Sequence, residues 1–401
     1  YDIHYPLEER QTCRPHKVSP AYQWHKENGA VFGEKASWER VNYYSSHQGS
    51  DEIRPYGWAG KNWSNSVQVE HRATRESAGL FDESSFAKIE ISGARAGEFL
   101  EFVCANDVVR GVGRAVYTQA LNSKGGIEAD FTVTQIESEK FLIITGTAFA
   151  HHDGGWLRKL RRENGFADVH IEDVTYQLAI FGIWGPKARE ILQSLTTADL
   201  SNDSFKFMHS KMIDLNSAQI RATRITYVGE LGWELYIPVD KALAIWELLI
   251  AAGALPCGYR AIESLRLEKG YLAWGGEINT ENNPHEAGLT FAVSKKKRNF
   301  YGEAALENLA TPRRKLVSII FDDIRQVPIG SEPIRIGEEI IGRIKSGGQG
   351  YTINKAIGYA YVPVGHSAPG TNLEVEFFGN WIAGTVAATP LYDPSGSKIK
   401  S

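Results

Sequence analysis

Several short stretches carry charged or aromatic groups that packing alone does not require. In SKGGIEADFTVTQ (Ser123–Gln135) a Gly-Gly pair opens a strand. Ile127, Ala129, Phe131 and Val133 fall on one face, and Glu128, Asp130, Thr132 and Thr134 on the other. A carboxylate fixed on a strand, as Asp130 is, suits proton movement or the steadying of a cation; a solvent-facing strand is the plainer alternative. In TYVGELGWELY (Thr226–Tyr236) two glycines let the chain turn or bulge between aromatic strands. Tyr227, Glu230 and Glu234 are its reactive or hydrogen-bonding groups, with Glu230 the residue expected in the turn. Arg266, in the helical stretch ESLRLEKG, has a planar fork suited to carboxylates, and Glu263 lies at i−3 as an equally good partner. The run KKKR (Lys295–Arg298) suits an acidic ligand tail, and a solvated turn accounts for it as well or better. In AHHDGG, His151 and His152 are adjacent on a helix and share no face, and no third ligand has suitable spacing, so no metal is expected.

The elements that must position these groups come in two similar rounds. VEHRATRESAGLFD has a helical rhythm, SSFAKIEISG alternates as a strand, and GARAGEFLEFVCA is amphipathic. AVYTQALNS, IEADFTVTQI and FLIITG then read as successive antiparallel strands, and HHDGGWLRKLRREN returns to helix. In the second round, YQLAIFGIWG is a strand, PKAREILQSL a helix with Pro in its first turn, AQIRATRITYVGELGWELYIP a strand pair, and VDKALAIWELLIAAG a helix closed by glycine. Past ATPRRK, short strands separated by Gly, Pro and Asn predict a small antiparallel barrel or sandwich. The fold class expected is α+β, divided into an extended arm over 1–50, an α+β region of two subdomains over 51–312 and a β-barrel over 313–401.

With 401 residues, 42% hydrophobic and 23% charged, the composition is that of a globular chain with a sizeable core. A formal charge of −4 gives no argument for nucleic acid. ALAIWELLIAAGAL is too short, and too interrupted by Glu247, to span a bilayer, so no membrane is expected. Cys13, Cys104 and Cys257 form neither a CxxC pair nor a zinc spacing, which favours a reducing compartment, cytoplasm or mitochondrial matrix. No signal peptide opens the sequence, whose first residue is Tyr rather than Met. No GxGxxG follows a strand and no GxxxxGK[ST] is present, so nicotinamide and ATP sites lack their phosphate cradles. Ten Trp and 17 Tyr could wall a flat heterocycle.

GGIEADFTV, YVGELGWELYIP and YRAIESLRLEKGY, in this order, resemble motifs of the folate-binding aminomethyltransferase family, which includes the glycine-cleavage T-protein. RPHKVSPAYQWHKENGAVFGEKASWERVN and PLYDPSGSKIK are similar to the corresponding parts of the C-terminal half of dimethylglycine and sarcosine dehydrogenases. The resemblance covers essentially the whole chain. It implies a T-protein-like multi-domain fold and tetrahydrofolate as cofactor. It implies that Asp130 assists proton movement at the pterin nitrogens, with Thr132 beside it, and that Glu234 clamps the pterin by accepting two parallel hydrogen bonds. It further implies Tyr227 as a wall, Arg266 at the folate mouth facing the ligand's glutamate carboxylates, and Tyr117 and Trp184 bordering the pocket.

The chain starts where the flavin domain of those dehydrogenases would stop, so no covalent flavin is expected on this stretch. Three functions stay open on the sequence. The leading one is a tetrahydrofolate-dependent one-carbon transferase acting on a small methylated amine, sulfonium or methoxy compound, by methylene or by methyl transfer. The second is a folate-binding protein without turnover; relatives of that kind resemble one another through a Lys-Gly-Cys-Tyr type motif, absent around Cys257. The third is the one-carbon-receiving subunit of a multi-chain amine oxidoreductase with a flavoprotein subunit, for which Trp24, Trp38, Trp58 and Trp63 offer a docking arm or, more simply, a wrapping for the chain's own core.

Overall fold

The computed structural model describes residues 5–49 and 53–401. Packed elements begin where the sequence predicts an extended arm. Helix α1 (Tyr22–Glu27) leads into a hairpin of β1 (Ala30–Lys35) and β2 (Trp38–Tyr44), with Trp38, Val41 and Tyr44 buried. The arm over 1–50 is therefore corrected for residues 22–44. Its hairpin turn is Ala36-Ser37, at φ 51° and 70°, and lacks the Asn-Gly pair that usually marks such a turn. Trp24 meets Trp246 edge-on at 5.7 Å and Trp38 stacks on Tyr176 at 5.5 Å, so these aromatics cover the chain's own body.

Helix α2 (Ser66–Glu76) and strand β3 (Gly79–Asp82) precede β4 (Ala87–Ser92), α3 (Ala96–Val103), β5 (Ala115–Leu121), β6 (Ile127–Glu137) and β7 (Lys140–Thr145). With α4 (Ala150–Glu163) and β8 (His170–Asp173) they give a five-stranded sheet ordered β5-β6-β7-β4-β8, every pair antiparallel. Then β9 (Leu178–Trp184), α5 (Ala188–Gln193), β10 (Ser210–Leu215), β11 (Ala218–Thr223), β12 (Gly232–Pro238), α6 (Val239–Ala251), β13 (Leu255–Cys257) and α7 (Tyr259–Lys269) follow. Their sheet runs β10-β11-β12-β9-β3-β13, parallel at the edge pair β3-β13 and antiparallel elsewhere. After α8 (Glu303–Glu307) come β14 (Arg314–Phe321), β15 (Pro333–Ile336), β16 (Glu339–Gly350), β17 (Lys355–Pro363), β18 (Asn372–Phe377) and β19 (Asn380–Ala387). These close a barrel ordered β14-β17-β16-β15-β18-β19. The architecture is α+β, as the alternating texture predicts.

The period-two pattern of β6 decides which way its side chains face. Ala129, Phe131 and Val133 are buried in a core shared with Phe99 and Leu157 of the covering helices. Burying Phe131 is worth about 2–3 kcal/mol, enough to fix the register, and a slip of one residue would turn Asp130 into that core. Helix α7 packs on α2, β2 and β16, and ends at Gly270, whose φ of 75° is the left-handed cap that lets the chain turn back towards the sheets. Among the described residues no helix is long and apolar enough to cross a membrane.

Candidate functional site

Between the two sheets, α7 and the barrel lies a cavity of about 1340 Å³. Tyr117, Asp130 and Thr132 of the five-stranded sheet line it, together with Glu234 of the other sheet, Tyr227 of the loop between β11 and β12, and Arg266 of α7. Residues far apart in sequence thus meet in one space.

Asp130 sits on the cavity wall, where burial pushes its carboxyl up to about 7. The O–H of Tyr117 donates to its Oδ2 at 3.2 Å and favours the ionised form, whereas the charge of Asp153 opposes it. Tyr117 also stacks on Phe291, with centroids 6.1 Å apart and planes 25° apart, and Phe291 is 72% exposed at the cavity rim.

Glu234 pairs with Gly182 across the sheet and accepts the O–H of Tyr236 on Oε2 at 2.5 Å. Its Oε1 has no hydrogen-bond partner among the described residues. Burial pushes this carboxyl, too, up to about 7. Nearby Glu83 is fully buried with neither oxygen paired, and burial and then the Glu234 charge push it well above the usual carboxylate range. Glu83 therefore keeps its proton, and Glu234 is the member of the pair that ionises near neutrality. The O–H of Tyr227 donates to the Leu272 carbonyl at 2.9 Å, and its ring lies 15° from parallel with Tyr271 at 6.0 Å.

Arg266 is held by carboxylates of the chain itself. Its Nη2 is 2.7 Å from Glu263, the pairing that helix spacing predicts, and its Nη1 is 2.7 Å from fully buried Glu277. The fork is thus occupied, and Arg266 meets the cavity as a positive wall. Trp184 departs from expectation. It is fully buried with Phe81 and Val228, and its indole N–H donates to the Ile225 carbonyl at 2.8 Å, so it belongs to the core and not to the cavity. Glu230 lies in the loop before β12, paired with Arg75 at 2.9 Å. In KKKR, Lys295 and Lys296 are exposed, whereas Lys297 pairs with Glu101 at 2.5 Å. Among the described residues no group of three or more His, Cys, Asp or Glu could hold a metal.

Sequence reasoning missed several wall residues. Lys35 and Arg40 reach the cavity from the unforeseen hairpin, and Arg40 lies 3.3 Å over the Tyr259 ring. Phe149 and Trp274, edge-to-face at 4.8 Å, come from loops with no period to read. Asp153 lies in the first turn of α4, beside the two histidines, a place where an acidic residue suits any helix N-terminus and so carries no signal of the cavity.

A family model for the GCVT N-terminal domain matches residues 21–297, and one for the glycine cleavage T-protein C-terminal barrel domain matches residues 314–393. Dimethylglycine dehydrogenase of Mus musculus is 35% identical over 410 residues, covering 99% of this chain and 46% of that protein. The 4-methylaminobutanoate oxidase (formaldehyde-forming) of Paenarthrobacter nicotinovorans is 33% identical over 100% of this chain and 49% of its own length. The chain therefore spans about half the length of these two relatives. The aminomethyltransferase of Symbiobacterium thermophilum is 33% identical over 94% of this chain and 97% of its own length. The crystal structure of the glycine cleavage system aminomethyltransferase T from Bartonella henselae superposes with a TM-score of 0.81 at 28% identity, over 94% of this chain and 98% of that one.

Proposed function

Because the chain belongs to the glycine cleavage T-protein (GCVT) family of folate-dependent aminomethyltransferases, we propose that it passes a one-carbon group from a small methylated molecule to tetrahydrofolate. The observation that carries this reading is that Asp130 and Glu234, from different sheets, face one cavity.

The donor set fits a reduced pterin. Glu234 offers a shielded carboxylate whose Oε1 is free, and an ionised carboxylate can accept both the N3–H and the 2-amino group of such a ring. Tyr227 and Tyr271 add flat faces. At about 1340 Å³ the cavity is larger than the roughly 300–1,000 Å³ that one small ligand needs, which leaves room for a second reactant.

When bound, tetrahydrofolate supplies the nucleophilic nitrogen. Asp130, poised near neutrality, accepts a proton there and, as an anion, steadies a cationic electrophile. Tyr117 orients the Asp130 carboxylate through its O–H, and Thr132 lies on the same face of β6. Glu83, by staying neutral, leaves the negative charge on Glu234, where the ligand's donors meet it. Arg266 acts by the field of its guanidinium and not by its fork, which Glu263 and Glu277 fill.

Two relatives carry the names dimethylglycine dehydrogenase and 4-methylaminobutanoate oxidase, which supports a methylated amine as donor. Raising an N-methyl group to the methylene level removes two electrons, so that route requires an oxidising partner, and we assign the role to a flavoprotein unit. The setting proposed is a reducing compartment, consistent with three free cysteines. The test is a tetrahydrofolate titration followed by product analysis with methylated amines, sulfonium compounds and methoxy-aromatics. Methylene product that depends on an added amine oxidase supports the reading. Methyl product formed without one contradicts the aminomethyl route, and absence of tetrahydrofolate binding contradicts the whole proposal.

A further inference from the structure

Resting on the function proposed for the cavity, we infer that the ring pair of Phe149 and Trp274 forms the seat of the second reactant. This seat takes an onium cation, a methylated ammonium or sulfonium, in preference to a neutral methoxy compound. The two rings meet edge-to-face, with centroids 4.8 Å and planes 72° apart. Both line the cavity and both are half-buried, so each keeps surface turned to it. The other aromatic pairs on the wall are already engaged. Tyr227 with Tyr271 flanks the proposed pterin site, Tyr117 stacks on Phe291 at the rim, and Tyr259, beside Phe86, is covered by Arg40 at 3.3 Å.

Packing holds the pair in place. The Phe149 carbonyl accepts the N–H of Asp153 at 2.8 Å in the first turn of α4. A glycine at 146 makes room for the Phe149 ring, to which a Cβ there would come within 3.0 Å. The indole N–H of Trp274 donates to the Ile127 carbonyl at 3.0 Å, and its ring centroid lies 5.7 Å from that of His152. The seat is therefore built before any ligand arrives.

The charge around it is acidic. The Asp153 side chain is 3% exposed, with Oδ2 accepting the Thr145 hydroxyl at 2.6 Å and Oδ1 2.8 Å from His152 Nδ1. His152 Nε2 lies 3.3 Å from Glu128, which shares a face of β6 with Asp130. One imidazole thus stands among carboxylates. Arg266 reaches this loop through Glu277, whose Oε2 takes the Ala273 N–H at 2.8 Å, but Glu263 and Glu277 match its charge. Other cations enter the cavity elsewhere. Lys35 and Arg40 come from the β1–β2 hairpin, and the Arg114 carbonyl accepts the N–H of Gln135, which lies roughly 26 Å along β6 from Ile127.

A cation is attracted to an aromatic face within about 6 Å of its centroid, most strongly by Trp. Ile127, which fixes the indole, precedes Asp130 by roughly 10 Å of strand. An onium centre resting on Trp274 thus carries its methyl groups towards Asp130, where the reactive nitrogen of the pterin is proposed to lie. A neutral ether gains neither the ring attraction nor the acidic field.

The test uses the full chain, with and without saturating tetrahydrofolate, and ligand-observed NMR of four probes: choline, its neutral isostere 3,3-dimethylbutan-1-ol, trimethylsulfonium and anisole. Both onium probes should bind about tenfold more tightly than the two neutral ones. Trp274→Leu and Phe149→Leu should each weaken them about threefold to thirtyfold, with the tetrahydrofolate Kd within about twofold as proof of an intact fold. Trp274→Phe, which keeps a ring, should lose less than Trp274→Leu. Tighter binding of choline assigns the seat to amines and tighter binding of trimethylsulfonium to sulfonium compounds; either order supports it. Equal binding of choline and its isostere, or onium binding unchanged in both leucine variants, would overturn the seat. Failure of the unmodified chain to bind tetrahydrofolate would instead overturn the proposed function, and the measurements made without tetrahydrofolate would still decide the seat.

Discussion

Asp130→Asn should make the protein more stable and less active at once. Burial lifts the Asp130 carboxyl from the usual 3.8 to about 7. The folded chain thus holds this proton more tightly than the unfolded chain does, and ionising the group costs stability as the pH rises from about 4 to about 7. Below that window both states are protonated and the penalty vanishes; above it the penalty is complete. A rise of roughly 3 pH units at about 1.36 kcal/mol each sets a ceiling of ~4 kcal/mol. Asparagine keeps the shape and still accepts the Tyr117 O–H, but its amide must find partners, so the expected gain is about 1–3 kcal/mol. The assay is chemical denaturation of both proteins above neutrality and near pH 4, with tetrahydrofolate binding and one-carbon transfer measured alongside. Stabilisation confined to the higher pH, near-normal Kd and a rate lower by about 10²–10⁴-fold are expected. A variant no more stable than its parent above neutrality would refute the reasoning, because the strained carboxylate would then not be there to relieve.

Three further outcomes follow from the same geometry. Glu234, at about 7, must be ionised to accept two N–H donors, so tetrahydrofolate affinity should be full above neutrality and fall about tenfold per pH unit below it; a calorimetric profile flat through this range would contradict the clamp. Trp184→Phe removes the hydrogen bond to Ile225 and part of a fully buried ring, costing about 2–4 kcal/mol in thermal or denaturant unfolding with no change in tetrahydrofolate Kd; weaker binding at unchanged stability would return Trp184 to the pocket. Glu277→Gln withdraws a buried partner from Arg266, and a loss of about 3 kcal/mol in unfolding free energy is expected; an unaffected denaturation midpoint would show that Glu263 alone suffices.

The part of the site that sequence makes legible is the part governed by local period. In β6 alternation separates Phe131 from Asp130 and Thr132, and the two glycines before Glu234 mark the loop, at Gly229, and the start of β12, at Gly232. Trp184 departs from the expectation because β9, LAIFGIW, is apolar at every position and buried at all but its first, so no period distinguishes one face from the other. The hairpin that carries Lys35 and Arg40 was hidden by its Ala36-Ser37 turn, whose residue types rarely adopt positive φ. Arg266 was half legible. Glu263 lies one turn away on the same helix, whereas Glu277 arrives from a loop beyond the Gly270 cap that only the folded chain brings near. Asp153 shows the same limit, since Thr145, whose hydroxyl it accepts, lies on β7 and reaches α4 only in the folded chain.

The most direct measurement is a crystal structure of the chain soaked with tetrahydrofolate. A reduced pterin whose amino edge rests on Glu234 and whose reactive nitrogen lies within hydrogen-bonding reach of Asp130 is the result expected. Density for the ring anywhere else on the molecule, with both acids untouched, would contradict the assignment.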